Sequence, residues 1–174
     1  MSESAVRLRP VERSDLDVLA KWTNDPVHNS EYNFFGFQFV GQLEEEFGKS
    51  GLLDARGGAL IIVERETDEV IGSIGYFQTP YGPNRESQVY NLGITLSPEH
   101  RGKGYGTEAQ RLFAAYLFSS YAIMRVQAST DVENIAEQRA LEKAGFIREG
   151  VMRKAQWRSG EWHDLIMYSK LRGE

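Results

Sequence analysis

A glycine-rich segment, Arg101-Gly102-Lys103-Gly104-Tyr105-Gly106-Thr107, lies between a strand-like stretch that ends near Leu96 and a helix predicted over residues 107–118. Alternate glycines let backbone N–H groups approach a ligand without a Cβ in the way. The start of a helix adds about half a positive charge at the same place. Arg101 and Lys103 contribute two cationic side chains. The segment therefore predicts a binding site for a phosphate or a related anion.

Two other phosphate motifs fit these letters less well. A P-loop needs a Gly-Lys pair followed by Ser or Thr, but Gly102-Lys103 is followed by Gly104. A dinucleotide fingerprint, Gly-x-Gly-x-x-Gly, belongs near the start of a βαβ unit, whereas this Gly-x-Gly-x-Gly comes late in the chain. The dinucleotide interpretation and a glycine-rich turn without a ligand remain the less favoured alternatives, because three glycines before a helix cost stability.

Hydrophobic periodicity and turn residues predict an α+β chain with one mixed sheet and helices on both of its faces. The predicted strands cover residues 6–9, 60–63, 70–77, 88–96, 125–130, 146–153 and 161–169. The first predicted helix begins near Ser14 and ends at Asn24-Asp25-Pro26. Further helices are predicted over residues 43–47, 107–118 and 134–144. The aromatic segment 34–39 is predicted as a loop, either pinned to the core by its phenylalanines or forming a wall of a substrate pocket.

Composition limits the class of protein. The 174 residues are 41% hydrophobic and 26% charged, which is typical of a single soluble domain, here residues 1–174. No apolar run approaches the roughly 20 residues of a membrane span. Met1-Ser2-Glu3-Ser4 does not resemble a secretory signal. We therefore expect a cytoplasmic protein without a membrane partner. The net charge of −5 argues against nucleic acid, and the absence of cysteine excludes an acyl-cysteine intermediate.

Several motifs in order resemble the GNAT superfamily of N-acetyltransferases. Arg101 to Gly106 has the form Arg-x-x-Gly-x-Gly of that family's coenzyme A loop. Asn134 and the run Leu141-Glu142-Lys143-Ala144-Gly145-Phe146 resemble its following helix. The closing hairpin, Trp157 to Asp164 with Tyr168-Ser169, is similar to the branch that acetylates ribosomal-protein N-termini. Together with Leu8-Arg9-Pro10 and Asn24-Asp25-Pro26, the resemblance covers almost the whole chain.

This resemblance implies a GNAT-like domain in which two central parallel strands separate to admit acetyl-coenzyme A as co-substrate. It implies that main-chain groups on the fourth strand pair with the pantetheine arm, as an added strand would. The cofactor-binding residues implied are Ile94, Thr95, Leu96, Arg101, Gly102, Lys103, Gly104, Tyr105, Gly106, Thr107 and Asn134.

The expected catalytic side chains depart from the family pattern. Many relatives carry a carboxylate at the position of Asn91 and a tyrosine at the position of Leu141, and neither residue present here can exchange a proton. The catalytic residues are therefore left unassigned, with Asn91, Glu137, Tyr105 and Tyr168 as weak candidates. For Glu137 a helix-capping role with Asn134 is favoured.

The three histidines, His28, His100 and His163, are too scattered in sequence to predict a metal site, and none is expected. His163 and Asp164 are interpreted as a structural pair. The expected reaction is direct acetyl transfer to a primary amine on a small molecule, a peptide or a protein N-terminus, and a homodimer remains open. The alternatives are a non-catalytic acyl-coenzyme A-binding module and an enzyme that uses another acyl group.

Overall fold

A mixed sheet of seven strands forms the frame of the protein in the computed structural model, which describes residues 4–174. The strands are β1 Val6–Pro10, β2 Gly57–Glu64, β3 Val70–Pro80, β4 Gln88–Leu96, β5 Arg125–Asp131, β6 Ile147–Arg158 and β7 Glu161–Leu171. The helices are α1 Leu16–Thr23, α2 Pro26–Asn33, α3 Gly41–Ser50, α4 Tyr105–Ser120 and α5 Ile135–Lys143. The strand order is β1-β2-β3-β4-β5-β7-β6, and every neighbouring pair is antiparallel except β4 with β5.

The parallel pair separates soon after it forms. Tyr90 lies opposite Val126 and Asn91 opposite Gln127, and no further pairing joins β4 to β5 in the described chain. Both strands continue, each held on its outer side by β3 or β7. A V-shaped gap therefore opens between them, with its apex at Asn91 and Gln127, which confirms the predicted splayed pair.

Helices cover both faces of the sheet, as predicted. Successive side chains of a strand point to opposite faces, so Leu60 and Ile62 of β2 join one core while Ile61 and Val63 join the other. The larger core packs α4 and α5 against the sheet, and the smaller one packs α1 and α3. Burial on both faces explains why β2 reads as a continuous apolar run.

Several elements differ in their bounds from the sequence prediction, and α2 and β6 have identifiable reasons. Asp25-Pro26 ends α1 as expected but also starts α2, because the Asp25 carboxylate accepts hydrogen bonds from the Val27 and His28 N–H groups and Pro26 occupies the first helical position. β6 runs to Arg158, five residues beyond the predicted end at 153. The prediction ended early because a bulge at Lys154, which has a φ of 49°, interrupts the alternation of side chains.

Residues 1–3, part of the segment predicted not to be a secretory signal, lie outside the described residues. Over residues 4–174, none of the helices combines the length and the apolar character needed to cross a membrane.

Candidate functional site

The glycine loop before α4 adopts the left-handed conformation that glycine favours. Gly102 has a φ of +74° and Gly104 a φ of +87°. A Cβ placed on either glycine would meet no atom within 4 Å, so the space in front of the loop is open. The main chain of the loop is therefore accessible at close range.

The start of α4 supplies free donors. Its first main-chain hydrogen bond runs from the Glu108 N–H to the Gly104 carbonyl at 3.2 Å. The N–H groups of Tyr105, Gly106 and Thr107 have no acceptor among residues 4–174. Unpaired N–H groups at a helix start form an anion site together with the positive end of the helix dipole.

Arg101 has a structural role in addition to the cationic charge that it contributes. Its guanidinium donates to three main-chain carbonyls, those of Leu96 (3.0 Å), Val27 (3.3 Å) and His28 (2.5 Å). The side chain thus ties α2 to the end of β4 and adds its charge from a fixed position. Lys103 is exposed, with its Nζ 5.9 Å from the centre of the Tyr105 ring, and is the cation free to turn toward a ligand.

Main-chain alternation determines which groups face the gap. The Ser97 N–H donates to the Ile71 carbonyl at 2.9 Å, and in an antiparallel pair hydrogen-bonded and non-hydrogen-bonded residues alternate. The main-chain groups of Thr95 therefore point to β3, and those of Ile94 and Leu96 point into the gap. Of the three residues predicted to meet a pantetheine arm, Ile94 and Leu96 therefore present main-chain groups to the gap. The Leu96 carbonyl already accepts from Arg101.

α2 lies across the open end of the gap. At its start, the Val27 and His28 carbonyls accept from Arg101, which follows β4. At its end, the Tyr32 hydroxyl donates to the Glu133 carbonyl at 3.4 Å, just after β5, and the Tyr32 carbonyl accepts from Arg158 at 3.3 Å. α2 is broken at Ser30, whose φ of 58° is rare for a residue with a side chain.

His28 contributes to the same helix as a neutral, buried ring. It stacks on Trp22 with the ring centres 4.3 Å apart. Burial, reinforced by the charge of Arg101, lowers the pKa of His28 to about 4. No motif in the sequence indicates this arrangement, because the fold brings Trp22 and Arg101 against His28.

The aromatic segment after α2 is held by polar contacts. The Asn24 side chain donates to the Gln38 carbonyl at 2.9 Å and accepts from the Gln38 N–H at 2.8 Å. Phe37 and Phe39 are 82% and 83% exposed. The interpretation in which the phenylalanines pin this loop to the core is therefore wrong for these two residues.

The apex of the gap is closed by side-chain amides. Asn91 donates through Nδ2 to Thr79 Oγ1 at 2.5 Å and accepts at Oδ1 from Gln127 Nε2 at 2.6 Å. Gln127 is 2% exposed, and its Oε1 accepts from Tyr81 and Arg125 at 3.1 Å each. Both polar side-chain atoms of Asn91 on β4 are thus hydrogen-bonded, one to β3 and one to β5. An amide side chain cannot act as a general base at this position.

Glu137 makes half of the predicted cap and one unexpected contact. The Asn134 Oδ1 accepts from the Glu137 N–H at 3.2 Å, which caps α5. The Glu137 carboxylate does not return to Asn134; its Oε1 accepts from Gln110 Nε2 of α4 at 2.8 Å. Burial raises the pKa of Glu137 to about 7, although the Gln110 hydrogen bond opposes the shift. Gln110 is fully buried, and its Oε1 has no partner among the described residues.

The two tyrosine candidates are both engaged. The Tyr105 hydroxyl donates to Glu64 Oε1, and this hydrogen bond raises the pKa of Tyr105. The Tyr168 hydroxyl donates to Glu142 Oε1 at 3.1 Å, and burial followed by this contact raises the pKa of Tyr168. Each hydroxyl is therefore a weaker acid than a free tyrosine.

A buried ion pair lies at the end of β5. Arg158 Nη2 donates to Asp131 Oδ2 at 2.5 Å, and both residues are less than 5% exposed. His163 Nδ1 lies 3.1 Å from the same oxygen. Asp164 accepts from the Lys154 N–H at 2.8 Å. His163 and Asp164 therefore make separate structural contacts and form no dyad, because neighbouring strand residues face opposite sides of the sheet.

His100 is less isolated than its place in the sequence suggested. Its Nε2 lies 3.6 Å from Glu69 Oε2, and Glu64 completes a cluster of three side chains that present ligand atoms to one another. The sequence argument that the histidines are too scattered for such a cluster is wrong for His100, because the fold brings the β2–β3 turn to the end of β4.

Comparison with known proteins agrees with this architecture. The model of the Acetyltransferase (GNAT) domain family matches residues 5–147. An uncharacterised N-acetyltransferase, p20, of Bacillus licheniformis is 31% identical over 169 residues, covering 96% of this chain and 93% of that protein. The spermidine N(1)-acetyltransferase of Vibrio cholerae is 24% identical over 162 residues, covering 93% of this chain and 90% of that one.

Solved structures give the same fold. The crystal structure of spermidine N-acetyltransferase from Vibrio cholerae in complex with CoA and spermine superposes with a TM-score of 0.81 at 23% identity, covering 98% of this chain and 97% of that one. An acetyltransferase (GNAT family) from Bacillus anthracis gives 0.77 at 22% identity, with 99% and 98% covered. The chain belongs to the GNAT family and is an acetyl-coenzyme A-dependent N-acetyltransferase.

Proposed function

We propose that this enzyme transfers acetyl from acetyl-coenzyme A directly to a neutral primary amine while both substrates are bound. The observation that carries the proposal is the open cradle at Gly102 and Gly104 beside a gap whose main-chain groups have no strand partner in the described chain. The cradle fits a diphosphate, with the free N–H groups of α4 and the Lys103 ammonium as donors. Asn134, at the start of α5, is proposed to meet the pantetheine arm.

The chemistry needs little from side chains. The amine nitrogen attacks the thioester carbonyl, a C–N bond forms, the C–S bond breaks, and the proton lost by nitrogen balances the proton gained by the thiolate. Main-chain N–H groups that face the gap, such as that of Ile94, are placed to donate to the developing oxyanion. Holding both reactants together supplies much of the rate enhancement.

The acceptor proposed is an amine of low pKa. Asn91 carries no carboxylate, and Asp131 at the end of β5 is held by Arg158 at 2.5 Å. A lysine-like amine with a pKa near 10.4 is neutral about once in 2,500 molecules at pH 7, a handicap of roughly 4.6 kcal/mol. An α-amine with a pKa of about 7.7 to 8.0 is neutral in roughly one molecule in six to ten. A site without a strong base therefore favours the α-amine.

The surroundings of the gap favour a peptide or protein N-terminus with apolar residues. α2 crosses the open end, and the segment after it exposes Phe35, Phe37 and Phe39. The hairpin that contacts α2 exposes Trp157 and Trp162, whose ring centres are 5.5 Å apart. Exposed aromatic side chains in one region commonly mark a surface that binds another molecule. This supports the resemblance to the branch that acetylates ribosomal-protein N-termini.

The test compares two forms of one peptide with apolar N-terminal residues. One form has its α-amine free and its lysine blocked, and the other has the reverse. Release of coenzyme A is followed from pH 6 to 10, with spermidine as a third acceptor. We expect kcat/KM at pH 7 to be at least tenfold higher for the α-amine. Faster turnover of the ε-amine at pH 7 would show that a base is present and that the proposed acceptor is wrong.

A polyamine is the second candidate acceptor. The solved structure with a TM-score of 0.81 is a spermidine N-acetyltransferase, and a net charge of −5 suits a polycation. Spermidine carries several ammonium groups, so its turnover should fall steeply with added salt, whereas that of the apolar peptide should not. Turnover of spermidine alone would establish this candidate, and acyl-coenzyme A binding without turnover of any acceptor would indicate a non-catalytic binding module.

A further inference from the structure

Three residues from separate parts of the chain meet behind the glycine loop. Glu64 ends β2, Glu69 lies in the turn before β3, and His100 ends the short helical turn after β4. One ligand atom from each lies within 4.8 Å of the others. The two closest, His100 Nε2 and Glu69 Oε2, are 3.6 Å apart.

The His100 ring is buried without a hydrogen bond. His100 is 6% exposed, and its Nδ1 has no hydrogen-bond partner among the described residues. Its Nε2 points toward the Glu69 carboxylate at a distance beyond the usual hydrogen-bond range. Two ligands of one tetrahedral ion with bonds of about 2.1 Å are about 3.4 Å apart. The separation of His100 Nε2 and Glu69 Oε2 is thus close to that of two ligands of one ion, and the Glu64 oxygen lies within 4.8 Å of both.

The surrounding contacts would orient these ligands. Glu64 Oε2 accepts from Thr67 Oγ1 at 2.6 Å, and Glu64 Oε1 accepts from the Tyr105 hydroxyl. Glu99 Oε1 lies 3.8 Å from His100 Nδ1, the ring nitrogen that a metal at Nε2 would leave free. A carboxylate behind a metal-binding imidazole fixes its tautomer and ring orientation.

We propose that Glu64, Glu69 and His100 form a binding site for a divalent transition-metal ion of the zinc type. Two carboxylates and a neutral imidazole carry a charge of −2, which one such ion neutralises. The imidazole distinguishes this donor set from the all-oxygen sets that Mg²⁺ and Ca²⁺ prefer. Three protein ligands leave at least one coordination position to water.

A bound ion would add a second connection between the glycine loop and the β2–β3 turn. His100 precedes the glycine loop, and Tyr105, which contacts Glu64, follows it. A bound ion would therefore fix both ends of the loop against the β2–β3 turn. The proposal concerns binding of the ion and does not depend on the identity of the amine acceptor.

Titration of the full-length protein with Zn²⁺ after removal of metals by EDTA and dialysis tests the site. Isothermal calorimetry should show one ion per chain. Glu69→Gln should weaken binding at least tenfold. Glu66→Gln is the matched control, because Glu66 is an exposed glutamate of the same turn outside the cluster. Co²⁺ added to the wild-type protein should give the visible absorption of a four-coordinate site, which Glu69→Gln should lose.

Two results would overturn the proposal. One is the absence of one-to-one Zn²⁺ binding by the wild-type protein, which would leave His100 with only its contacts to Glu69 and Glu99. The other is equal binding by the Glu69→Gln and Glu66→Gln variants, which would indicate non-specific attraction to surface carboxylates. His100→Gln serves as a second ligand variant, with circular dichroism to confirm that it is folded.

Discussion

Gly104, the residue just before α4, has a φ of +87°, and the space that its missing side chain leaves is open. Replacing it with valine should cost roughly 1 to 2 kcal/mol of stability, because an L-residue is strained in the left-handed region. The branched side chain would also fill the proposed phosphate space. We expect Gly104→Val to fold but to lose the rise in melting temperature that acetyl-coenzyme A gives the wild-type protein, measured by scanning fluorimetry.

Gly160 provides the matched control for this change. It has nearly the same φ, +86°, and equally open space, but lies in the β6–β7 turn. Gly160→Val should lose similar stability and keep the response to acetyl-coenzyme A. Equal responses in the two variants would mean that the cofactor does not bind at the glycine loop.

Glu137 should make stability depend on pH. Its pKa, raised to about 7 by burial, lies above the ordinary value of 4.5, so the folded protein binds more protons than the unfolded chain between these values. The free energy of unfolding should therefore fall as pH rises from about 4.5 to 7, by at most about 3 kcal/mol. Glu137→Gln should remove this dependence and be more stable than wild type at pH 8. Urea denaturation of both proteins at pH 5, 6, 7 and 8 is the measurement, and a stability difference that does not change with pH would contradict the assignment.

The contact between Glu137 and Gln110 could not be predicted from the sequence. Asn134 and Glu137 stand three apart at a helix start, which is the spacing of a capping box, and the sequence carries no sign of another partner. Gln110 is 27 positions away, and its contact with Glu137 exists because α4 and α5 pack side by side. Local spacing correctly predicted that Asn134 caps α5. The packing of α4 against α5 determines that the Glu137 carboxylate contacts Gln110.

α2 shows the same limit at the level of elements. Residues 26–33 have no apolar stripe of helical period, so nothing in their pattern predicts a helix beyond the Asp25-Pro26 start. The helix is fixed by cations from elsewhere in the chain, Arg101 at one end and Arg158 at the other. By contrast, the predicted bounds of β4 match the observed ones, because its residues have high β propensity and turn residues flank them.

The different roles of Arg101 and Lys103 can be separated experimentally. Arg101→Lys keeps the charge but loses the planar fork that reaches Val27 and His28, so α2 should exchange its amide hydrogens faster while acetyl-coenzyme A affinity changes little. Lys103→Gln should weaken acetyl-coenzyme A binding and leave exchange in residues 26–33 unchanged. Hydrogen exchange by mass spectrometry and calorimetry give the two readouts. The opposite pattern would show that Arg101 is the main phosphate ligand.

The order of elements predicted the class of the whole molecule, an α+β sheet with helices on both faces. The separation of the two parallel strands was implied by the family resemblance and not by hydrophobic periodicity. A gap between two strands does not change the alternation of apolar and polar residues in either strand. The gap exists because β4 and β5 are each held on their outer sides by β3 and β7 while they diverge. Contacts that cross the mouth of the gap, from α2 to the ends of both strands, arise from the fold and could not be predicted from local sequence.

The architecture predicts a sequential kinetic mechanism. A double-displacement route needs a nucleophile that holds the acetyl group, and the chain has no cysteine. Ser129 on β5 is exposed, but its hydroxyl has no hydrogen-bonded base among residues 4–174, and both nitrogens of His163 already face Asp131 or Arg158. We therefore expect intersecting lines when initial rates are measured over a matrix of both substrates, and an unmodified intact mass after incubation with acetyl-coenzyme A alone. Parallel lines together with an acetyl adduct on one residue would establish an acetyl-enzyme and overturn direct transfer.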